Sequence, residues 1–148
     1  YVLATGFIIG LPSETHEDIV NNILLTKYLA PDMYSFGPLL PASQTPLEQA
    51  PKVTKELILK ITALTRFVDS NSNILVTTAL ETLDKRAKKE ALLAGANSMM
   101  INITPEKYRQ FYAIYDNKAG LEKETTQTIQ ETVELLYELG RAPTDIGI

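Results

Sequence analysis

The chain has 148 residues, 45% of them hydrophobic and 22% charged, which is long enough for one domain with a sizeable core and too apolar for a disordered chain. Fourteen basic and 18 acidic residues leave a formal net charge of −4, and the scattered Lys and Arg form no footprint for nucleic acid or an anionic membrane surface. There is no cysteine and His16 is the one histidine, so thiolate metal sites, disulfides and cysteine nucleophiles are excluded within these residues.

Taken in order, Tyr1 to Gly10 reads as a strand, with "TGFIIG" as its buried-type centre. The turn "GFIIGLPSET" follows from it: Gly10 permits a tight bend, Pro12 stiffens it, and Ser13 or Thr15 caps a helix with Glu17 and Asp18 in its first turn. Ile19, Val20, Ile23, Leu24 and Tyr28 form that helix's apolar stripe, His16 lies on its polar side, and Pro31 stops it. Asp32 to Leu40 is the second strand, followed by the proline-rich loop "PASQTPLEQAPK" and a helix carrying Leu57, Ile58, Ile61, Leu64 and Val68. "NILVTTAL", Asn73 to Leu80, is the third strand. "DKRAKKEALLAG" is a short helix closed by Gly95, its Lys85 to Glu90 run a solvated face, and Asn97 to Ile103 is the fourth strand. "TPEKYRQFYAIYDNKAG" reads as a short helix with a loop, in which helical spacing puts Tyr108, Tyr112 and Tyr115 on one face. A last helix, Thr126 to Leu139, presents Ile129, Val133 and Leu136 and ends at Gly140.

Strands separated by whole helices pair in parallel through right-handed crossovers, so the fold class is α/β: four parallel βα units in an open sheet or part of a (β/α)8 TIM-type barrel, plus a C-terminal helix. Residues 1–104 are expected to hold the βα units and residues 105–148 the aromatic segment and terminal helix of the same domain. In such folds ligands gather at the carboxyl ends of the strands, which singles out Gly10–Thr15, Gly37–Thr45, Thr77–Thr82 and Asn102–Tyr112. The first of these lacks the spacing of a P-loop or of G-x-G-x-x-G. The second is stiffened by prolines and suits a flat ring held by backbone groups, or equally a structural turn. Thr77 and Thr78 alternate across a strand end, so one hydroxyl points inward, and Arg109 has the planar fork that grips a carboxylate.

The same loops resemble a known family. "GFIIGLPSET" is similar to the G-x-I-x-G turn at the fifth strand of radical S-adenosylmethionine enzymes, with the usual acidic residue displaced by one position to Glu14. "DMYSFGPLLPASQTPL", "ILVTTAL", "AGANSMMINITPEKYRQFYAIYDNK" and "LGRAP" together resemble the C-terminal half of the [FeFe]-hydrogenase maturases of the HydE type, whose relatives are biotin synthase and methylornithine synthase. The likeness covers nearly the whole chain and is most discriminating over "TPEKYRQFYAIY". It implies strands five to eight of a barrel. Ile8 and Gly10 would pack near the adenine of S-adenosylmethionine, and Gly37, Pro38, Leu39 and Leu40 would meet the same base. Thr77, Thr78, Asn102, Thr104, Tyr108, Arg109 and Tyr112 would face a small, amino-acid-like, sulfur-containing substrate. It also implies that a [4Fe-4S] cluster cleaves S-adenosylmethionine reductively, with the barrel shielding the 5'-deoxyadenosyl radical.

The family's C-x3-C-x2-C cluster loop is absent, and so are catalytic and metal-ligating residues. The chain starts at Tyr1, inside a strand, and is expected to be a piece of a longer enzyme that needs the missing N-terminal half of its barrel and is inactive without it. With no spanning segment and no leader, a cytoplasmic location is expected. The alternative is a small non-enzymatic α/β domain that binds a metabolite or a partner protein through the same loops.

Overall fold

Alternation of short strands and amphipathic helices organises the computed structural model, which describes residues 1–121 and 123–144. Glu122 and residues 145–148, the end of the expected C-terminal segment, lie outside the described residues. The elements are β1 (Ala4–Thr5), β2 (Ile8–Ile9), α1 (His16–Tyr28), β3 (Met33–Tyr34), β4 (Gly37–Pro38), α2 (Lys55–Val68), β5 (Asn73–Val76), α3 (Thr78–Leu83), α4 (Ala87–Ala94), β6 (Ser98–Met99), α5 (Glu106–Arg109), a 3-10 turn (Gln110–Tyr112) and α6 (Thr125–Glu138). They divide into two units, one of residues 1–100 with 114–119, the other of 101–113 with the described residues from 120 onward.

In the first unit a four-stranded parallel sheet has the order β1-β3-β5-β6, and β2 pairs in parallel with β4. The expected first and second strands are each broken in two. The break falls where the chains come closest: a Cβ on Gly6 would stand 1.8 Å from the Ser35 carbonyl oxygen. Just beyond it the Phe7 and Phe36 rings stack at 5.4 Å. Pairing then resumes, with Ile8 beside Gly37 and the Leu39 amide donating to the Ile9 carbonyl at 2.7 Å. The third expected strand is shorter at its far end, because Thr77 leaves the ladder to cap α3. The fourth is reduced to Ser98–Met99.

Helix α1 starts at a capping box. The Thr15 hydroxyl accepts from the Asp18 amide while the Asp18 carboxylate accepts from the Thr15 amide, so Thr15 is the cap; Ser13 instead has φ +68°. His16 is exposed, as its polar position requires. Of the expected stripe on α1, Ile19 and Ile23 are buried while Val20, Leu24 and Tyr28 are exposed. On α2 the buried face is carried by Ile58, Ile61, Thr62 and Thr65, and Leu64 is exposed. Thr62 returns its hydroxyl to the Ile58 carbonyl, which lets a polar residue sit in the core. The Lys85–Glu90 run is less solvated than its charge implies: Ala87 is buried, Lys88 pairs with Glu81, and Glu90 pairs with Lys55 on α2.

The loops entering the amino ends of the strands are tied by a polar network. Arg66 donates to the Gly95, Asp69, Ser70 and Ser72 carbonyls, the Ser72 amide donates to Asp69, and the Ser72 hydroxyl is within hydrogen-bond distance of both the Pro31 carbonyl and Asp69. Tyr34, fully buried, donates its phenol to Asp69 at 3.2 Å. Burial first, then the neighbouring Asp69 charge, pushes the Tyr34 phenol up to about 12. Burial also works against the Asp69 carboxylate, but hydrogen bonds from Ser72, Asn71 and Tyr34 outweigh it and hold Asp69 below the usual range.

A pH dependence follows. The unfolded phenol ionises near 10 and the folded one near 12, so stability that is complete below pH 10 is lost across that window, by roughly 2–3 kcal/mol. Urea midpoints compared at the two ends of the window should fall by less in Tyr34→Phe than in the native chain. Equal slopes would show that Tyr34 does not carry the effect.

The second unit contains α5, the 3-10 turn and α6. Arg109, 5% exposed, is its centre: Nε donates to the Thr104 carbonyl at 2.8 Å, one terminal nitrogen to the Lys123 carbonyl, and the other to the Thr125 hydroxyl at 3.1 Å. Helix α6 half-buries Val133 and Leu136 and leaves Ile129 exposed. Among the described residues no helix is long and apolar enough to cross a membrane.

Candidate functional site: a cleft at the carboxyl ends of the strands

The carboxyl ends of β2 and β4, the residues just past β5 and a later segment enclose a cleft of about 550 Å3 in the first unit. It is lined by Thr5–Ile8, Ser35–Leu40, Thr77, Ala79, Ile114 and Tyr115. None of these side chains is charged at neutral pH, so the cleft offers apolar walls, backbone groups and hydroxyls. That is the lining expected for a planar, uncharged ring system rather than for an ionic group.

Local chemistry explains how the walls are placed. In β2, side chains alternate: Ile9 is fully buried in the core, while Ile8 turns to the cleft and is 53% exposed. Gly37 is required by a close approach, since a Cβ there would stand 2.5 Å from the Thr77 hydroxyl oxygen. The Thr77 hydroxyl accepts from the Leu80 amide at 3.4 Å and so fixes the start of α3.

Of the residues expected to meet a cofactor, Ile8, Gly37, Pro38, Leu39 and Leu40 come together in this cleft, and Thr77 joins them from the substrate set. Gly10 does not line it. Its φ of +93° and a Cβ position 1.9 Å from Val53 Cγ2 mark a backbone turn that only glycine fits, and the Glu14 carboxylate accepts from its amide at 2.6 Å. Gly10 borders a separate depression of about 380 Å3 between Leu11–Glu14 and Pro51–Thr54.

Thr78 is not on a strand. It is the first residue of α3, and its carbonyl accepts from the Thr82 hydroxyl. Of the two threonines, one of whose hydroxyls was expected to point inward, Thr77 lines the cleft and Thr78 does not.

Asn102, Thr104, Tyr108, Arg109 and Tyr112 fall in the second unit. Asn102 accepts from the Thr104 amide, donates to the Gly120 carbonyl, and its own carbonyl accepts from the Thr125 hydroxyl. The Arg109 fork is directed at the protein's own acceptors in this structure. Tyr108 and Tyr112 are about half exposed, and Lys107 lies over the Tyr108 ring. The helical spacing behind a shared tyrosine face does not hold, because α5 ends after Arg109 and the 3-10 turn that follows ends at Tyr112.

Thr5–Phe7, Ser35, Phe36, Ile114 and Tyr115 line the cleft but lie outside the loops that the sequence singles out, and Ile114 and Tyr115 are the most distant of them from any strand end. Burial pushes the Tyr115 phenol above its ordinary value, against an opposing hydrogen bond with Thr82. Their placement depends on Asp116 and Ala119, which bond to distant residues and leave no periodic signal.

Residues 35–142 match the model of the Biotin and Thiamin Synthesis associated domain. The chain is also 37% identical over 143 residues, 97% of its length, to the "[FeFe] hydrogenase maturase subunit HydE" of Thermotoga maritima. It spans 41% of that relative's length. The parallel βα units, the uncharged cleft at their carboxyl ends and the matched span agree, and the chain belongs to the Biotin and Thiamin Synthesis associated domain family.

Proposed function

We propose that this chain supplies part of the adenosyl pocket of a radical S-adenosylmethionine enzyme acting in [FeFe]-hydrogenase maturation. The observation that carries the reading is the uncharged cleft, in which Ile8 and Gly37–Leu40 face one space together with Thr77. The similarity to the Thermotoga maritima maturase supports the same reading. Ile8 and Leu39 would sandwich the adenine, while backbone groups near Gly37 and the Thr77 hydroxyl are available to its edge or to the ribose. When bound, S-adenosylmethionine supplies the carbon–sulfur bond whose reductive cleavage starts the family's chemistry.

A [4Fe-4S] cluster does not fit the residues present, because the chain has no cysteine. No step is therefore assigned through it, and its ligands belong on this reading to a part of the enzyme outside these 148 residues. The substrate is small and amino-acid-like. Within the first unit Thr77 is the residue proposed to meet it, while in the second unit Asn102, Thr104 and Arg109 hold the shape of their own segment.

The test is binding of 5'-deoxyadenosine, followed by calorimetry. Ile8→Asp puts an unpaired charge on the ring-facing wall and should weaken binding at least about tenfold. Leu11→Asp, at the separate depression, should leave it unchanged. Native affinity in Ile8→Asp, with circular dichroism showing an intact fold, would refute the assignment.

A further inference from the structure

The segment Ile114–Ala119 lies against the first unit and is held at two points. The Asp116 carboxylate accepts from the Ser43 amide at 3.2 Å and from the Ser43 hydroxyl at 3.0 Å. The Ala119 amide donates to the Thr82 hydroxyl at 2.8 Å. Ser43 stands in the loop that follows β4, the same loop whose Leu39 and Leu40 form one wall of the cleft. Asp116 thus ties the Ile114–Tyr115 wall to the wall carrying Leu39 and Leu40.

The rim itself asks for a cover. Ile114 is 71% exposed and Ile8 53% exposed, two large apolar side chains on the lining of one cleft. A tight turn at Asn117, with φ +54°, lets the segment double back between its two anchor points. Both bonds to Asp116 are solvent-exposed, so they can open and close without disturbing the core.

We propose that Ile114–Ala119 is a strap that closes over the bound ring system, with Asp116 as the positioning residue that latches it to Ser43. The proposal rests on the adenosyl reading of the cleft and adds what retains the ligand there. A planar nucleoside would be covered by Ile114 and edged by the Tyr115 phenol, and its escape would require the Asp116–Ser43 latch to release.

Stopped-flow kinetics with 5'-deoxyadenosine as the probe distinguish a strap from a structural brace. In Asp116→Ala the dissociation rate should rise about fivefold, the scale of a lost exposed hydrogen bond to a carboxylate, while the association rate stays level or rises. Ser43→Ala keeps the amide donor and should show a smaller rise, and the double variant should be no worse than Asp116→Ala. Thermal midpoints should not move in any of the three, because both residues are exposed. Unchanged rates in Asp116→Ala, or a slower association, would overturn the strap while leaving the cleft's ligand in place. If the native chain does not bind the probe, the adenosyl reading falls and the strap falls with it.

Discussion

Replacing Gly6 by alanine should cost about 3 kcal/mol of stability, near the top of the range for overpacking. The added methyl would stand 1.8 Å from the Ser35 carbonyl oxygen and 2.4 Å from its carbon. Those are backbone atoms, so no side-chain rotation relieves the clash, and the first strand must move away from the second. The amide of Ser35 donates to the Thr5 carbonyl at 2.9 Å beside this point, and that bond would be strained or lost. Gly120→Ala is the comparison: it has a φ of +77° but nothing within 4 Å of its Cβ position, so only a backbone cost of about 1 kcal/mol is expected. Urea midpoints of the two variants should differ by the gap between these costs. Since Gly6 lines the cleft, Gly6→Ala should also lose 5'-deoxyadenosine binding. Equal destabilisation by the two substitutions would show that the close strand crossing is absent in solution.

Arg109→Ala should destabilise the second unit by about 3 kcal/mol. The guanidinium is buried and donates to the Thr104 and Lys123 carbonyls and to the Thr125 hydroxyl, joining α5 and the residues before it to the start of α6. Truncation leaves two part-buried carbonyls without their donor, and an acceptor stranded out of water costs about 1–3 kcal/mol, less where solvent reaches it. Arg109→Lys retains the charge but reaches one acceptor instead of three, so it should recover only part of the loss. Hydrogen exchange read over 101–113 and 123–139 should quicken in Arg109→Ala and to a lesser degree in Arg109→Lys. If exchange is unchanged while substrate binding disappears, Arg109 acts on the ligand and not on its own segment.

Much of the architecture was legible because it rests on periodicity. Ile19 and Ile23 on α1, Ile58 and Ile61 on α2, and the buried run Ile74–Val76 on β5 mark helix and strand by spacing alone. Thr77 and Thr78 were harder, since threonine favours strands and helix caps alike; the deciding fact is that the Thr77 hydroxyl finds the Leu80 amide. For Gly10 the sequence showed a turn but not which side of the turn faces ligand, and Val53, distant in the chain, occupies the space beside it. Arg109 advertises a fork without its partners, which are carbonyls and a hydroxyl up to 16 residues away. Tyr115 was the least legible, because it reaches the cleft through the tie between Asp116 and Ser43 and not through helical spacing.

The measurement that tests the central claim most directly is a map of backbone amide shifts as 5'-deoxyadenosine is added to the isotope-labelled chain. Shifts should concentrate at Phe7, Ile8, Gly37, Leu39, Leu40, Thr77 and Tyr115, the residues around the uncharged cleft. Leu11 to Glu14 and Lys52 to Thr54, at the separate depression, should stay still. Shifts confined to that second set, or an unchanged spectrum at saturating ligand, would contradict an adenosyl site at the carboxyl ends of these strands.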